Sequence, residues 1–506
     1  MQPMPLTDVP LIKSSLGTLT TYEVFTHATE PSFQLLRDVP GMELGAILRL
    51  LTHIAALIVR KDKKLAKRNL KDPLPVSLLS EVFAELQKDL PLYGGERNFL
   101  QIPDITGVVS RGKNPTFKLS PTAPGENSQA YWNFSKKKPE TLPKGEALLA
   151  LLIFKIYSSA GNSKFENRKC QNGSPGIRFV GAGNTSTEVF VHANTLWESL
   201  LASVPKSWVE GEGLPAWADP TGEHSFVNGE SHPLWRASWM SNSVCGFWED
   251  GELTGVGIGG TPPEHFVPEI PSPENKDAYK AWCDQRNTED PFYLYIRDSH
   301  SNALKVKRLD LSKDLTELAV EWARENTVAH LDSHFSKSVL PPNFKRGDSL
   351  VFIRHQIGGN ASTPLIRESV VTQTSDTLWC LDQDPLIQRQ LVSHAEFIFE
   401  LKLTMLNPFR RMGKNDRCPT FDDLADLLDT AKSAFWRHIT PVYEEIITTV
   451  KEKKDFDQKV VRRHAVDAAI NALDAVVKPY LLQNPKRNFA VQNQTRRNLY
   501  AKLREK

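Results

Sequence analysis

His330 and His334 stand four residues apart with Asp332 between them. On a helix, positions i and i+4 share a face, so this trio could hold a divalent ion. It could then activate water as a metal-dependent nuclease or phosphohydrolase does. No third and fourth ligand is evident nearby, and no Glu occupies the general-base position of a His-Glu-x-x-His site. His464 and Asp467 make a looser pair of the same kind. Gly255-Val-Gly257-Ile-Gly259-Gly260 satisfies the glycine spacing of a dinucleotide site. Such a site needs a helix to start there, so that its N-terminus can hold the pyrophosphate. Thr261-Pro262-Pro263-Glu264 follows instead, without an apolar helical period, which predicts a strand or hairpin end. No G-x-S-x-G elbow and no Gly-rich loop ending in Gly-Lys-Ser/Thr occurs. The five cysteines, Cys170, Cys245, Cys283, Cys380 and Cys418, form no Cys-x-x-Cys pair. That argues against a zinc finger or ribbon, predicts no bound metal or cofactor, and suits a reducing compartment. The residues thus point to a protein without a catalytic site of its own. A hydrolase built on His330, Asp332 and His334 and a pure scaffold are the competing readings.

The elements that position these residues fall into two textures. A chain of 506 residues supports roughly two to four domains. The N-terminus shows no basic segment followed by an apolar one, so no signal peptide is expected. In the run Met42 to Val59, apolar residues recur on one helical face, interrupted by Glu43, Arg49 and His53. It is about as long as a membrane span but carries charges, so a buried soluble helix is expected. Val76 to Leu90, Glu146 to Tyr157, Leu196 to Val204 and Leu315 to His330 predict further helices, and Ile102 to Lys144 a long loop. Glu249-Asp250-Gly251 predicts a hairpin turn, with Phe292 to Ile296 and Ala303 to Leu309 as paired strands. After about residue 386 the sequence is helical, with breaks at Asn-Pro, Cys-Pro and Thr-Pro. The expected fold is α+β: a mixed body over residues 1–385 and a helix bundle over 386–506. From Lys451 to Lys506 there are 14 Lys/Arg against 6 Asp/Glu, although the whole chain is only +2. A basic end on a balanced protein implies an anionic partner there.

Several segments, taken in order, carry a resemblance. They are Met42-Glu-Leu-Gly-Ala-Ile-Leu-Arg-Leu-Leu-Thr-His53, Glu96-Arg-Asn-Phe-Leu-Gln101, Lys144-Gly-Glu-Ala-Leu148 and Gly183-Asn-Thr-Ser-Thr-Glu-Val-Phe-Val191. Thr195-Leu-Trp-Glu-Ser-Leu-Leu201, Trp235, Asp250-Gly-Glu-Leu-Thr-Gly-Val256 and Asp290-Pro-Phe-Tyr-Leu-Tyr295 follow, and then the helical end. The chain resembles the CasA family, the large subunits of the type I-E CRISPR surveillance complex called Cascade.

The resemblance implies an α+β domain followed by a four-helix bundle, and a non-catalytic, cytoplasmic subunit of a ribonucleoprotein. Such a subunit sits at the 5′ handle of the guide RNA beside the backbone, handle-binding and small subunits. It reads a short protospacer-adjacent motif in double-stranded target DNA, helps open the duplex, and recruits a separate helicase–nuclease. Its glycine-rich loop falls at Asn172-Gly173-Ser174-Pro175-Gly176, where glycine lets backbone approach a groove. Its wedge loop falls at Gly358-Gly359-Asn360-Ala361-Ser362, with Gln356 as a neighbour able to substitute for Asn360. Its lysine finger, on a strand-flanking loop, corresponds to Lys276 or Lys280. Its handle-binding loop falls at Tyr131-Trp132-Asn133-Phe134 followed by Lys136-Lys137-Lys138, with Phe134 foremost. There aromatics would stack on unpaired bases and lysines would hold phosphates. Two departures stand out. The Cys-x-x-Cys zinc module of some relatives is missing, and the Pro-rich segment Thr261 to Gln285 matches poorly.

Overall fold

The structure, a computed structural model, describes the chain apart from residues 1, 68, 103–112, 123–139, 159–163, 166–167, 172–184, 241–242, 260, 262, 298–303, 307–308, 312, 326–330, 343–347, 361–362, 375–383, 414–418, 453–457 and 505–506. It divides into two compact units. The body is Met1–Leu309 with Asp332–Gln373, and the bundle is Asp310–Leu331 with Thr374–Lys506.

The chain opens with strands β1 (Ile12–Ser14) and β2 (Gly17–Leu19) and helices α1 (Thr21–His27), α2 (Gly41–Lys61) and α3 (Val76–Leu86). Next come α4 (Lys144–Tyr157), β3 (Lys164–Phe165), β4 (Arg168–Lys169), β5 (Thr185–His192) and α5 (Leu196–Ser203). They are followed by β6 (Phe226–Val227), β7 (Glu230–Ser231), α6 (Pro233–Ser238), β8 (Ser243–Glu249), β9 (Glu252–Gly259), α7 (Lys276–Thr288), β10 (Leu294–Arg297) and β11 (Leu304–Val306). Helix α8 (Leu315–Arg324) belongs to the bundle, and β12 (Leu331–Ser333), β13 (Ser349–Asn360) and β14 (Thr363–Thr374) follow it in sequence. The bundle ends with α9 (Pro385–Leu406), α10 (Leu428–Lys451), α11 (Gln458–Val477) and α12 (Pro485–Ala501).

Helix α2 is the axis of the body. Its apolar residues other than Leu48 are buried, because α3, α4, α5 and β13 pack around it. It is long and apolar enough to cross a membrane, and it is instead the core helix of this unit. Helices α1 and α5 start on reciprocal capping boxes, Thr20 with Glu23 and Thr195 with Glu198. The second box explains the motif Thr195 to Leu201 as a helix start. Strand β13 lies between β14 and β5, antiparallel to β5, in a three-stranded sheet.

The expected hairpin turn is present. Asp250 and Gly251 both take positive φ, 51° and 83°, as a two-residue turn of the right twist requires. Gly255, Gly257 and Gly259 lie in β9 opposite Phe247, Cys245 and Ser243, so the glycine run is strand and not a nucleotide loop. A side chain at Gly255 would collide with the stem of Lys113, which crosses there to reach Glu249 at 3.0 Å.

Other expectations are corrected. The helix predicted over Leu315 to His330 ends at Arg324, and Leu331–Ser333 is a strand. The spacing of His330, Asp332 and His334 is therefore not helical, and His330 lies outside the described residues. Among the described residues no group of three or more His, Cys, Asp or Glu could hold a metal ion. The bundle begins earlier than residue 386 and draws in α8. The reason is a buried carboxylate, Glu317, that meets Lys402 of α9 at 2.6 Å and Lys432 of α10 at 3.2 Å. The Thr-Pro break expected within 438–442 is absent, and α10 runs through Pro441. Thr440 bonds back to the Trp436 carbonyl, while α8 and α9 pack along this helix.

Candidate nucleic-acid interface

The body holds a charge cluster at its centre. Arg49 of α2 is fully buried, and its Nε donates to Glu188 Oε1 of β5 at 2.6 Å. Its Nη1 donates to Asp290 Oδ2 at 3.0 Å. Tyr157 of α4 donates its hydroxyl to Glu188 Oε2 at 2.6 Å, and His355 Nε2 of β13 meets the same oxygen at 2.9 Å. An ionised carboxylate can only accept, so His355 donates from Nε2, and its Nδ1 contacts Ser369 of β14 at 2.7 Å. The Arg49 guanidinium also lies 4.4 Å from the Phe292 ring centre. A side chain at Gly45 would strike the Tyr157 hydroxyl and Glu188, so glycine here lets α4 and β5 approach α2.

Burial alone would raise the Glu188 pKa, but Arg49 and the His355 bond hold it below the usual carboxylate value. Burial would likewise lower Arg49, and Asp290 and Glu188 instead carry it well above its ordinary value. His53, buried one turn further along α2, is pushed down to about 3 by burial and by the positive charge of Arg49. It therefore stays neutral, with Nδ1 accepting from Trp217 Nε1 at 3.3 Å.

This cluster ties the hairpin of β13 and β14 to the core through His355. Further out, Gln356 is exposed and pairs with Thr185 at the start of β5. A Cβ at Gly358 would collide with the guanidinium group of Arg367, which lies across the strand there. Asn360 closes β13, and Thr363 opens β14.

Two segments are anchored at one end on this hairpin. Residues 172–184 end at Thr185, opposite Gln356. They begin after Gln171, whose amide clamps Val267 by bonds of 2.9 Å in both directions. Val267 packs with Trp235, Trp239 and Trp282 in a cluster that includes one face of α7. Residues 123–139 begin just past Pro121, whose carbonyl accepts from Ile366 of β14 at 3.1 Å. They end near Leu142, bridged to Leu253 of β9.

A family model described as CRISPR-associated protein Cse1 (CRISPR_cse1) matches residues 15–479. The chain belongs to the Cse1 family. As a Cse1 protein, also called CasA, it is a large subunit of the Cascade type. Its fold is similar to that of Thermus thermophilus CasA (Cse1), with a TM-score of 0.63 at 14% identity over 100% of both chains. It is also similar to Thermobifida fusca Cse1, with a TM-score of 0.64 at 14% identity over 99% of this chain and 98% of that one. Cse1 from Acidimicrobium ferrooxidans gives 0.63 at 15% identity over 100% and 98%. Comparison with curated protein sequences gives no match.

Three segments that carried the resemblance to this family supply the central ion cluster: Arg49 from the first, Glu188 from the fourth and Asp290 from the last. Of the site residues expected of a Cse1 protein, Gln356 is exposed on the hairpin, and Asn360 stands at its end with backbone alone described. Asn172, Gly173, Gly176, Ala361, Ser362, Trp132, Phe134, Lys136 and Lys137 lie outside the described residues. Lys276 and Lys280 are exposed, yet they stand on the first turns of α7, capped by Asn275, and not on a strand-flanking loop. Their spacing puts both on one helix face. Trp282 and Arg286 form the buried side of α7, with Arg286 5.2 Å from the Trp239 ring centre.

Two features were missed from the sequence. Arg367 is a lone arginine among strand residues, and nothing marks it until Gly358 is seen beneath it. Strands β3 and β4 pair Lys164 directly with Lys169 just before Gln171. The cluster Lys164, Arg168, Lys169 was legible as a charge run.

Proposed function

We propose that this Cse1 protein reads a short flanking motif in double-stranded DNA, starts its unwinding, and recruits a helicase–nuclease, without chemistry of its own. One observation carries the reading. One end of each of the segments 172–184 and 123–139 is anchored against the hairpin of β13 and β14, the first at Thr185 opposite Gln356 and the second beside Pro121, bonded to Ile366. Base pairing with the guide supplies sequence specificity, so the protein needs only a short readout and a grip on backbone. Glycines at 173 and 176 would let backbone enter the minor groove, where the edge pattern is too degenerate for more than a short readout. Asn360, with Ala361 and Ser362, would part the first base step, at a cost of about a few kcal/mol per step. Gln356 faces solvent on the same strand, and Arg367, Lys276 and Lys280 would hold phosphates. Trp132 and Phe134, with Lys136 and Lys137, would hold the unpaired 5′ handle of the guide RNA. The partners are then guide RNA, target duplex, the other Cascade subunits and the helicase–nuclease, in the cytoplasm.

The test is duplex binding by the guide-loaded complex, with and without this subunit, on targets that differ only in the flank. Binding that depends on both subunit and flank, and weakens with Asn360→Ala, is the expected result. Flank discrimination that persists without the subunit sinks the reading.

A further inference from the structure

Helix α12 carries an arrangement that the motif-reading hairpin does not use. From residue 475 to residue 504 the chain has seven Lys/Arg and no Asp or Glu. The helix buries Asn488, Val491, Gln492, Thr495 and Leu499. Three of the cations are engaged by acids of the same unit: Arg487 with Asp422, Arg496 with Asp474, and Lys502 with Glu400. Lys486 and Arg497 are exposed and have no acidic partner among the described residues. Lys486, Phe489, Asn493, Arg497 and Tyr500 follow at spacings of 3, 4, 4 and 3, which places all five on one helix face. All five are exposed, and the two aromatic rings are 44% and 47% so. The Tyr500 hydroxyl reaches Asp467 of α11 at 3.4 Å, which orients the ring without covering it.

Phe489 and Tyr500 leave part of their apolar area in water, and covering it would be favourable. Flanking cations with no acids in the stretch favour an anionic cover. An aromatic row interleaved with cations and an amide matches the chemistry of an unpaired strand: bases stack on rings, phosphates meet cations, and the amide reaches base or sugar. A duplex keeps its base faces stacked and offers nothing to Phe489 or Tyr500. We propose that this face of α12 is a binding site for single-stranded DNA, spanning about 16 Å from Phe489 to Tyr500 at 1.5 Å per residue. The proposal rests on the reading above, because opening a duplex against a guide frees one DNA strand.

The experiment uses the guide-loaded complex carrying the full chain, bound to a target whose displaced strand contains 5-iododeoxyuridine at successive positions. Irradiation is expected to join that strand to peptides containing Phe489 or Tyr500. In parallel, oligodeoxythymidylate is titrated into the full chain. Phe489→Leu with Tyr500→Leu is expected to weaken binding roughly tenfold. Lys486→Gln with Arg497→Gln is expected to flatten the dependence of log affinity on log salt by about 1.4, from about 0.7 per cation. Cross-links from the displaced strand that map elsewhere and never to α12, tighter binding of the matching oligouridylate, or unchanged titrations would each overturn the proposal. The cross-linking arm uses the unmutated chain, so a folding defect in a variant cannot decide the result. Flank dependence is read on the same complexes. If it is lost while the α12 cross-links persist, the motif-reading function fails and the helix site stands. The reverse pattern removes the helix site alone.

Discussion

Glu188 shows how tightly the centre of the body is specified residue by residue. It has no exposure and binds Arg49, Tyr157 and His355 together. Removing one partner of a buried pair leaves the other charge uncompensated, so Glu188→Gln should cost about 3–5 kcal/mol, read from denaturant unfolding of the body. His53 sets an acid limit of its own. Its pKa is about 3 in the folded chain against 6.5 unfolded, so the unfolded chain binds the extra proton between those values. The stability this represents is fully present above pH 6.5 and is lost as pH falls towards 3, at up to about 1.4 kcal/mol per unit. His53→Gln should reduce the slope of stability between pH 6.5 and 5 by up to about 1.4 kcal/mol per unit, leaving the part owed to His192 and His394, which burial also holds down at about 4. A residue-scale contact also governs the hairpin. Gly358→Ala should displace Arg367 and weaken duplex binding. Arg367→Gln should weaken it similarly and reduce the salt slope by about 0.9, the effect of one phosphate contact. If Gly358→Ala leaves affinity and slope alone, Arg367 makes no such contact.

Elements with strong local signals were legible. Helix α2 follows from the period of its apolar residues, and the turn at Asp250-Gly251 from the need for two positive φ values. What the sequence hid was set by long-range partners. Helix α8 looks like any amphipathic helix of the body until Glu317 is seen with Lys402 and Lys432, residues distant in sequence. Pro441 reads as a break, because neither the Thr440 bond nor the packing along α10 leaves a local trace. Lys276 and Lys280 sit in a segment whose Pro-rich start masked the helix that follows. Of the interface, the hairpin strands and exposed Gln356 come within reach of the family resemblance, whereas Arg367 depended on the pairing of β13 with β14. The placement of α8 has a direct consequence. A fragment of residues 386–506 lacks it and uncovers the apolar surface of α9 and α10 that α8 buries. Such a fragment should bind 1-anilinonaphthalene-8-sulfonate and lose near-ultraviolet dichroism. A fragment with Asp310–Leu331 linked back on should not.

At the scale of the whole molecule, the net charge of +2 conceals an uneven distribution. The basic end is partly neutralised within the bundle itself, through Asp422, Asp474 and Glu400. The isolated chain should therefore bind duplex only weakly, with Kd on the order of 10⁻⁴ to 10⁻⁶ M at physiological salt, and lose affinity steeply as salt rises. Gel-shift titrations at two ionic strengths check this, and a salt-independent affinity would contradict it. The attachment of the β13–β14 hairpin also has a mechanical meaning. On the proposed reading the tip parts stacked bases and bears a load, and it does work only if its base does not yield. Here the stem is fastened at His355 to Glu188, and through Arg49 to the core helix α2. Force applied at residue 360 passes down two strands into the buried centre of the body. The footing of the hairpin is thereby held still, like a chisel in a vice.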